Sequence, residues 1–364
     1  MTAPTAPAAL HLVFGPPEHG VTRHALELAA AAGEPICHLD RPAPPTLGAV
    51  LQALSQEALP SGTPVHLHVT DRLLGATPAD AAALVEGLAA VHPISVTLHD
   101  LPQPSDGPER FARRAAAYHR IAVAAISVQV SSRHERALLA AIAPAVRTVV
   151  VPLPVPGRPA ARRSAAAAAV RTAPTVGILG YLYPGKGHAE VLAVLDQLGR
   201  DEVGLVALGG PSAGHDWLVD DLRHRAGGRA LEITGYLDDE ELDRRISAVT
   251  VPVVAPSHVS ASGSLHRWIG CGRRPVTLDN PYTREVAELL PGSLVLTDDL
   301  SSAIAAALLR PATTWCDALR PSGFERAGCA AAAAAQSSAI RSAALRSATL
   351  RSAALRSAAL RALR

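Results

Sequence analysis

The chain has 364 residues, with 34 Lys+Arg against 32 Asp+Glu and a net charge of +2, so bulk charge does not mark it as a polyanion binder. Hydrophobic residues make up 48% but aromatics only 3%, which allows sizeable cores built from Ala, Val, Leu and Ile and leaves room for two domains. Of the basic residues, all but Lys186 are arginine, a bias expected of a GC-rich bacterial gene that sets the lone lysine apart.

The first strand is predicted over residues 9–14 (ALHLVF), followed by the turn GPPEHGVT and a helix around RHALELAAAAG. VHLHVTD (65–71), ISVTLHD (94–100), AISVQVSS (125–132) and TVVVPL (148–153) continue as apolar strands separated by helical stretches. Near-continuous apolar strands alternating with helices indicate a parallel sheet covered on both faces. Residues 156–174 then break the rhythm with Pro, Gly, Arg and Ala and read as a linker.

The pattern restarts with TVGILG (175–180), GLVALGG (204–210), LEITGYL (231–237), VTVPVVAP (249–256), RPVTL (274–278) and SLVLT (293–297). Two consecutive doubly wound units are therefore expected, 1–155 and 175–310, with ligands bound outside the carboxyl ends of the strands. Residues 311–364 form an Ala/Arg-rich tail whose last 24 residues carry six Arg and no acid. From about Ile340 it repeats every five residues, a period that gives no continuous apolar face on a helix, so a fraying basic helix is expected.

Cys37, Cys271, Cys316 and Cys329 form no CxxC pair and no metal-ligand spacing, which fits reduced thiols. The amino terminus lacks a basic n-region, and its apolar run stops at GPPEHG, so neither a signal peptide nor an anchor is expected. The expected location is cytoplasmic.

Two readings compete for GYLYPGKGH (180–188). It fits most of a P-loop, but Gly187 stands where Ser or Thr would ligate magnesium, and no nearby strand ends in the required Asp. The alternative is a glycine-bounded phosphate cradle opening a helix, with Lys186 as a compact charge. Elsewhere, His66 and His68 share a strand face, but two histidines without a third ligand do not define a metal site. Asp238, Asp239, Glu240 and Glu241 suit the start of a solvated helix.

GYLYPGKG, LEITGYLDDEELDRRI (231–246), VVAPSHVSASGSLHRWIGCGRRPV (253–276) and NPYTREVAE (280–288), in that order, resemble the carboxyl-terminal domain of retaining family-4 glycosyltransferases. EHGVTRHALELA, VTLHDL, VSSRHERALL and VVVPLPVP extend the resemblance through the first half, over roughly residues 8–310. The resemblance implies α/β GT-B architecture, two Rossmann-like domains facing a cleft, with the basic repeat tail appended.

It implies transfer of a sugar from a nucleotide diphosphate donor, with retention and with no metal or other cofactor. The acceptor is an unidentified carbohydrate, lipid or small molecule. His99 takes the position of an active-site histidine and would act with Lys186 in catalysis. Gly180, Tyr181, Gly185, Lys186, Gly187, Ser260, Gly263, Ser264, Leu265, Trp268 and Glu285 would surround the donor, and His19 and Gly20 the acceptor side.

The chain departs from that pattern at three positions. Tyr181 replaces a phosphate-binding Arg, and Ser260 and Trp268 replace the two carboxylates of a Glu-x7-Glu pair. The alternative is thus a nucleotide-sugar-binding scaffold without turnover. Trp268 is open to two readings, a base or ribose contact and a core residue. Glu285 could instead cap its own helix. Peripheral contact with the inner membrane face is a further expectation for the basic tail; nucleic acid is not an expected partner.

Overall fold

The structure, a computed structural model, describes residues 9–41, 44–57, 60, 62–156, 173–316 and 328–362, with side chains to residue 349. Most of the expected linker, 157–172, and residues 317–327 lie outside the described residues. The chain divides into two compact units, Met1–Leu153 with Cys329–Arg364, and Pro154–Gly328.

In the first unit, strands β1 (Leu10–Phe14), β2 (Ile36–Leu39), β3 (Val65–Val69), β4 (Ile94–Leu98), β5 (Ser127–Val130) and β6 (Thr148–Val150) form one parallel sheet in the order β2-β1-β3-β4-β5-β6. Every residue of β1, β3, β4 and β5 is buried, as helices on both faces require. The helices are α1 (Gly20–Ala32), α2 (Leu47–Ser55), α3 (Asp71–Leu74), α4 (Pro78–Ala89), α5 (Pro108–Ala124) and α6 (Arg133–Ile142). β2 is the one strand that the sequence pattern did not announce. It is four residues long, its His38 interrupts the apolar run, and Pro35 abuts it.

In the second unit, β7 (Thr175–Leu179), β8 (Gly204–Leu208), β9 (Leu231–Ile233), β10 (Val251–Val254), β11 (Val276–Leu278) and β12 (Val295–Thr297) form a second parallel sheet ordered β12-β11-β10-β7-β8-β9. Its helices are α7 (His188–Gln197), α8 (Trp217–Ala226), α9 (Asp239–Ala248), α10 (Gly263–Gly270), α11 (Pro281–Leu289) and α12 (Leu300–Leu309). The order reverses between β7 and β10, so the loops after these two strands diverge to opposite faces and leave a crevice at their carboxyl ends. The corresponding reversal in the first sheet lies between β1 and β3.

The last helix, α13 (Cys329–Ala362), belongs to the first unit. Ala332, Ala333, Gln336, Ser337, Ile340 and Ala343 are buried, spaced as one helical stripe. Ala332 and Ala333 pack with Leu28 of α1 and with Val151. The small side chains let the two helices approach closely. Leu345, inside the five-residue repeat, is 71% exposed, consistent with a repeat that spirals its leucines around the axis. Among the described residues, no helix is long and apolar enough to cross a membrane.

Candidate functional site

In the second unit the site grows out of the β7–β10 crevice. The chain leaves β7 through Gly180–Gly187 and enters α7, while β10 leads through Ala255–Ser262 into α10. Gly187 caps α7 at φ 109°, and a Cβ there would stand 2.9 Å from the carbonyl oxygen of Ala255. Only glycine fits both the left-handed backbone and the close approach of the two loops. The Gly185 carbonyl is tied to Ser257, whose amide N–H donates to it across 2.8 Å and whose hydroxyl donates across 3.3 Å.

Lys186 is folded inward, 9% exposed. Its Nζ donates to Ser264 Oγ (3.4 Å) and lies 5.5 Å from the Tyr183 ring centroid. Among the described residues it forms no salt bridge. Burial alone lowers its pKa to about 8, so at neutral pH it stays charged. A buried cation with no carboxylate is prepared for an anionic ligand. The first-turn N–H groups of α10, at Gly263, Ser264 and Leu265, stand at the same place; Ser262 Oγ accepts the one from Leu265 (3.2 Å) and touches Ser264 Oγ (3.1 Å).

The loop before α10 is braced from behind. Ser262 N–H donates to Tyr282 Oη (2.9 Å), and Tyr282 Oη also meets His266 Nδ1 (3.4 Å). Burial lowers the His266 pKa to about 4, against the opposing pull of Ser262 O, so the ring is neutral. A narrow crevice beside this brace is lined by Val259, Ser262, Thr277, Asn280 and Tyr282 among others.

His188, the first residue of α7, was not singled out by the motif. It is buried, its Nε2 lacks a partner among the described residues, and burial plus repulsion from Lys186 lowers its pKa to about 3. Only its place inside GYLYPGKGH could have signalled it.

The remaining donor-side candidates separate. Tyr181 is 44% exposed on the loop, and Ser260 is buried in the β10–α10 connection. Trp268 is fully buried in an apolar cluster with Leu265, Ile269, Tyr282 and Val286, which favours the core reading over the base-contact one. Glu285 is buried within α11, and the cap of that helix is Asn280, so Glu285 does not serve as its cap.

The first unit holds the other candidates. His19 caps α1, its Nδ1 accepting from Val21 N–H (3.3 Å), and Gly20 follows, exposed, as the first helical residue. His99 immediately follows β4, its N–H donating to Val69 O (2.8 Å) and its carbonyl accepting from Tyr118 Oη (2.9 Å). The next residue, Asp100, turns the chain in the left-handed region (φ 49°) and is held by Arg114, which also binds Asp71 and Asp106. His99 is therefore fixed by the sheet on one side and a buried charge cluster on the other.

It is not isolated. His11, His66 and His68 are buried on β1 and β3. His66 bonds Ser95 Oγ and Thr97 Oγ1, His11 bonds Glu34, and Ser337 of α13 donates to the same carboxylate. Gln336 of α13 places its amide nitrogen 3.1 Å from His66 Nε2 and 3.3 Å from His68 Nε2. Burial holds His66, His68 and His99 well below the ordinary imidazole range, hence neutral. The sequence offered only His66 and His68 as a pair. Periodicity along one strand cannot show which side chains a helix and a neighbouring strand bring to them.

No family model matches the chain, and no curated protein matches it in sequence. Solved structures do match in fold. Sucrose-phosphate synthase from Thermosynechococcus elongatus superposes with a TM-score of 0.65 at 17% identity, covering 96% of this chain and 99% of that one. Anabaena HepE in complex with UDP and glucose gives 0.62 at 16%, covering 95% and 99%. The α,α-trehalose-phosphate synthase (UDP-forming) from Burkholderia xenovorans, in complex with glucose-6-phosphate, gives 0.56 at 12%, covering 89% and 78%. The doubly wound α/β architecture expected from the sequence, found here as two parallel six-stranded sheets, is thus the GT-B fold that these proteins share.

Proposed function

We propose that the chain is a glycosyltransferase that moves a sugar from a nucleoside diphosphate donor to an acceptor, with retention and with no metal on the diphosphate. One observation carries this reading: Lys186, buried at the β7–β10 crevice beside the start of α10, has no carboxylate partner among the described residues. A departing nucleoside diphosphate gathers negative charge on its oxygens. A preorganised ammonium and helix N–H groups stabilise that charge where water would have to reorganise. In this reading Gly180, Gly185 and Gly187 let backbone approach the phosphates, Ser264 adds a hydroxyl, and Tyr181 lies at the rim.

His99 is proposed to hold a donor-sugar hydroxyl, and His19 and Gly20 to line the acceptor side. A uridine diphosphate sugar is the first donor to try, because the fold neighbour HepE was solved with UDP and with UDP-glucose. A second reading, a nucleotide-sugar binder without turnover, is favoured by Ser260 and by the core position of Trp268, since neither supplies a carboxylate.

The test is UDP release from UDP-glucose in the presence of EDTA, measured beside UDP binding by calorimetry. Binding with release, both lost in Lys186→Ala, supports transfer. Binding without release across a panel of sugar acceptors supports the binder. Absence of binding to UDP, GDP, ADP and TDP sugars alike removes both.

A further inference from the structure

The histidine layer of the first unit contains a convergence of three imidazoles, of which the proposed sugar transfer uses His99 alone. His24 of α1, His68 of β3 and His99 after β4 each offer a ring nitrogen, and the three nitrogens lie within 4.8 Å of one another. Two of these side chains are buried and His24 is half-buried. The His24 ring stands across the other two, at centroid distances of 5.3 Å to His68 and 5.5 Å to His99, nearly perpendicular to both.

We propose that His24, His68 and His99 form a binding site for one borderline-soft divalent metal ion of the zinc class. Three imidazoles without a carboxylate suit Zn²⁺, Co²⁺, Ni²⁺ or Cu²⁺ and not the oxygen-seeking Mg²⁺ or Ca²⁺. Three protein ligands also leave a fourth position for water or a ligand oxygen.

The distances are close to what an ion needs. His68 Nδ1 and His99 Nε2 are 3.0 Å apart, in rings whose planes lie 17° from parallel, so a proton now lies between them. Metal–nitrogen bonds of about 2.0–2.1 Å in a tetrahedron place nitrogens about 3.3–3.4 Å apart. The pair must open by a few tenths of an ångström and tilt, and His24 must swing inward from its helix.

The proton balance closes within the layer. With Gln336 donating to His68 Nε2, the shared proton belongs to His68 Nδ1. On metal binding it moves to Nε2, and the Gln336 amide turns its carbonyl to accept it; His66 Nε2, which faces the same amide at 3.1 Å, then takes the proton from its own Nδ1 while Ser95 Oγ donates to the vacated nitrogen, and no proton is released. Metal-bound histidines characteristically donate their second nitrogen to such an acceptor. His99 is already anchored through its backbone by Val69 and Tyr118.

The experiment is a Co²⁺ titration of the full, tag-free chain after EDTA dialysis, followed by visible d–d absorption. The expected result is one equivalent of cobalt with the intense bands of four- or five-coordination, displaced by Zn²⁺ and unaffected by excess Mg²⁺. His24→Ala, at a half-buried helix position where alanine is tolerated, is expected to weaken cobalt binding at least ~100-fold, beyond the ~10–100-fold loss of a supporting hydrogen bond. Circular dichroism checks that this variant is folded, and His119→Ala, outside the cluster, keeps the bands. Absence of the bands in the folded wild-type chain, or bands unchanged in folded His24→Ala, overturns the site. The readout involves no sugar nucleotide, so it stands or falls apart from glycosyl transfer.

Discussion

Replacing Lys186 by methionine is expected to raise stability while removing diphosphate binding. Methionine keeps most of the aliphatic stem and deletes the charge. Burial takes the ammonium pKa from 10.5 to about 8. At about 1.4 kcal/mol per pH unit, carrying the proton in the folded state costs about 3 kcal/mol at neutral pH. The folded chain binds fewer protons than the unfolded chain between pH 8 and pH 10.5, so stability rises through that window. Below pH 8 the cost is fully present, and above pH 10.5 it is gone. The Ser264 hydrogen bond and the Tyr183 ring return part of it, so a net gain of about 2–3 kcal/mol is expected for Lys186→Met at pH 7. For a unit of this size that is a rise in Tm of roughly 4–12 °C. The assay is thermal melting of both proteins at pH 7 and near pH 10.5, with and without UDP. The variant should melt higher at pH 7, the gap should close at the alkaline end, and UDP should raise only the wild type. A variant that melts lower at pH 7 would show the lysine to be a structural tether. A UDP shift that survives the substitution would put the diphosphate elsewhere.

Gly187→Ala forces a side chain onto a φ of 109° and to within 2.9 Å of Ala255 O, so a loss of about 1–3 kcal/mol is expected in urea unfolding, with weaker UDP binding. Tyr282→Phe removes the acceptor of the Ser262 N–H and should cost about 1–3 kcal/mol and loosen the α10 start, seen as faster amide exchange at Ser262. Ile340→Ala empties a fully buried position of α13 and should cost about 2–5 kcal/mol, read by denaturant unfolding. Arg273→Met deletes the donor to the carbonyls of Ile246, Val249 and Thr250 and should cost about 3–5 kcal/mol, the largest loss of this group after repacking is allowed for.

Eleven of the twelve strands could be located from the sequence because they are mainly apolar, as strands between two helix layers require, and polar, glycine- or proline-containing turns separate them. The loop between β7 and α7 was legible for a different reason. GYLYPGKGH needs glycine at a left-handed cap and a cation at the crevice, and both requirements are local to nine consecutive letters. Trp268 shows where locality ends. Its place in a motif left a ligand contact and a core position both open, because burial depends on what α11 packs against it, namely Tyr282 and Val286 from a later segment.

The histidine layer lies further beyond local reading. His11, His24, His66, His68 and His99 come from four different elements, and Gln336 and Ser337 close over them from a helix more than two hundred residues downstream. No periodicity links these positions. The physical reason to expect a layer was nonetheless present in composition: β1 and β3 are too buried to leave an imidazole in water, so each histidine on them had to find a polar partner inside. Only the fold could say that these partners are Glu34 for His11, Ser95 and Thr97 for His66, and His99 for His68. A buried polar layer that depends on a terminal helix also makes that helix more than an appendage. Without α13, His66 and His68 lose their contacts to Gln336, and Glu34 loses Ser337, so truncation before Cys329 should destabilise the first unit and leave the Lys186 crevice of the second intact.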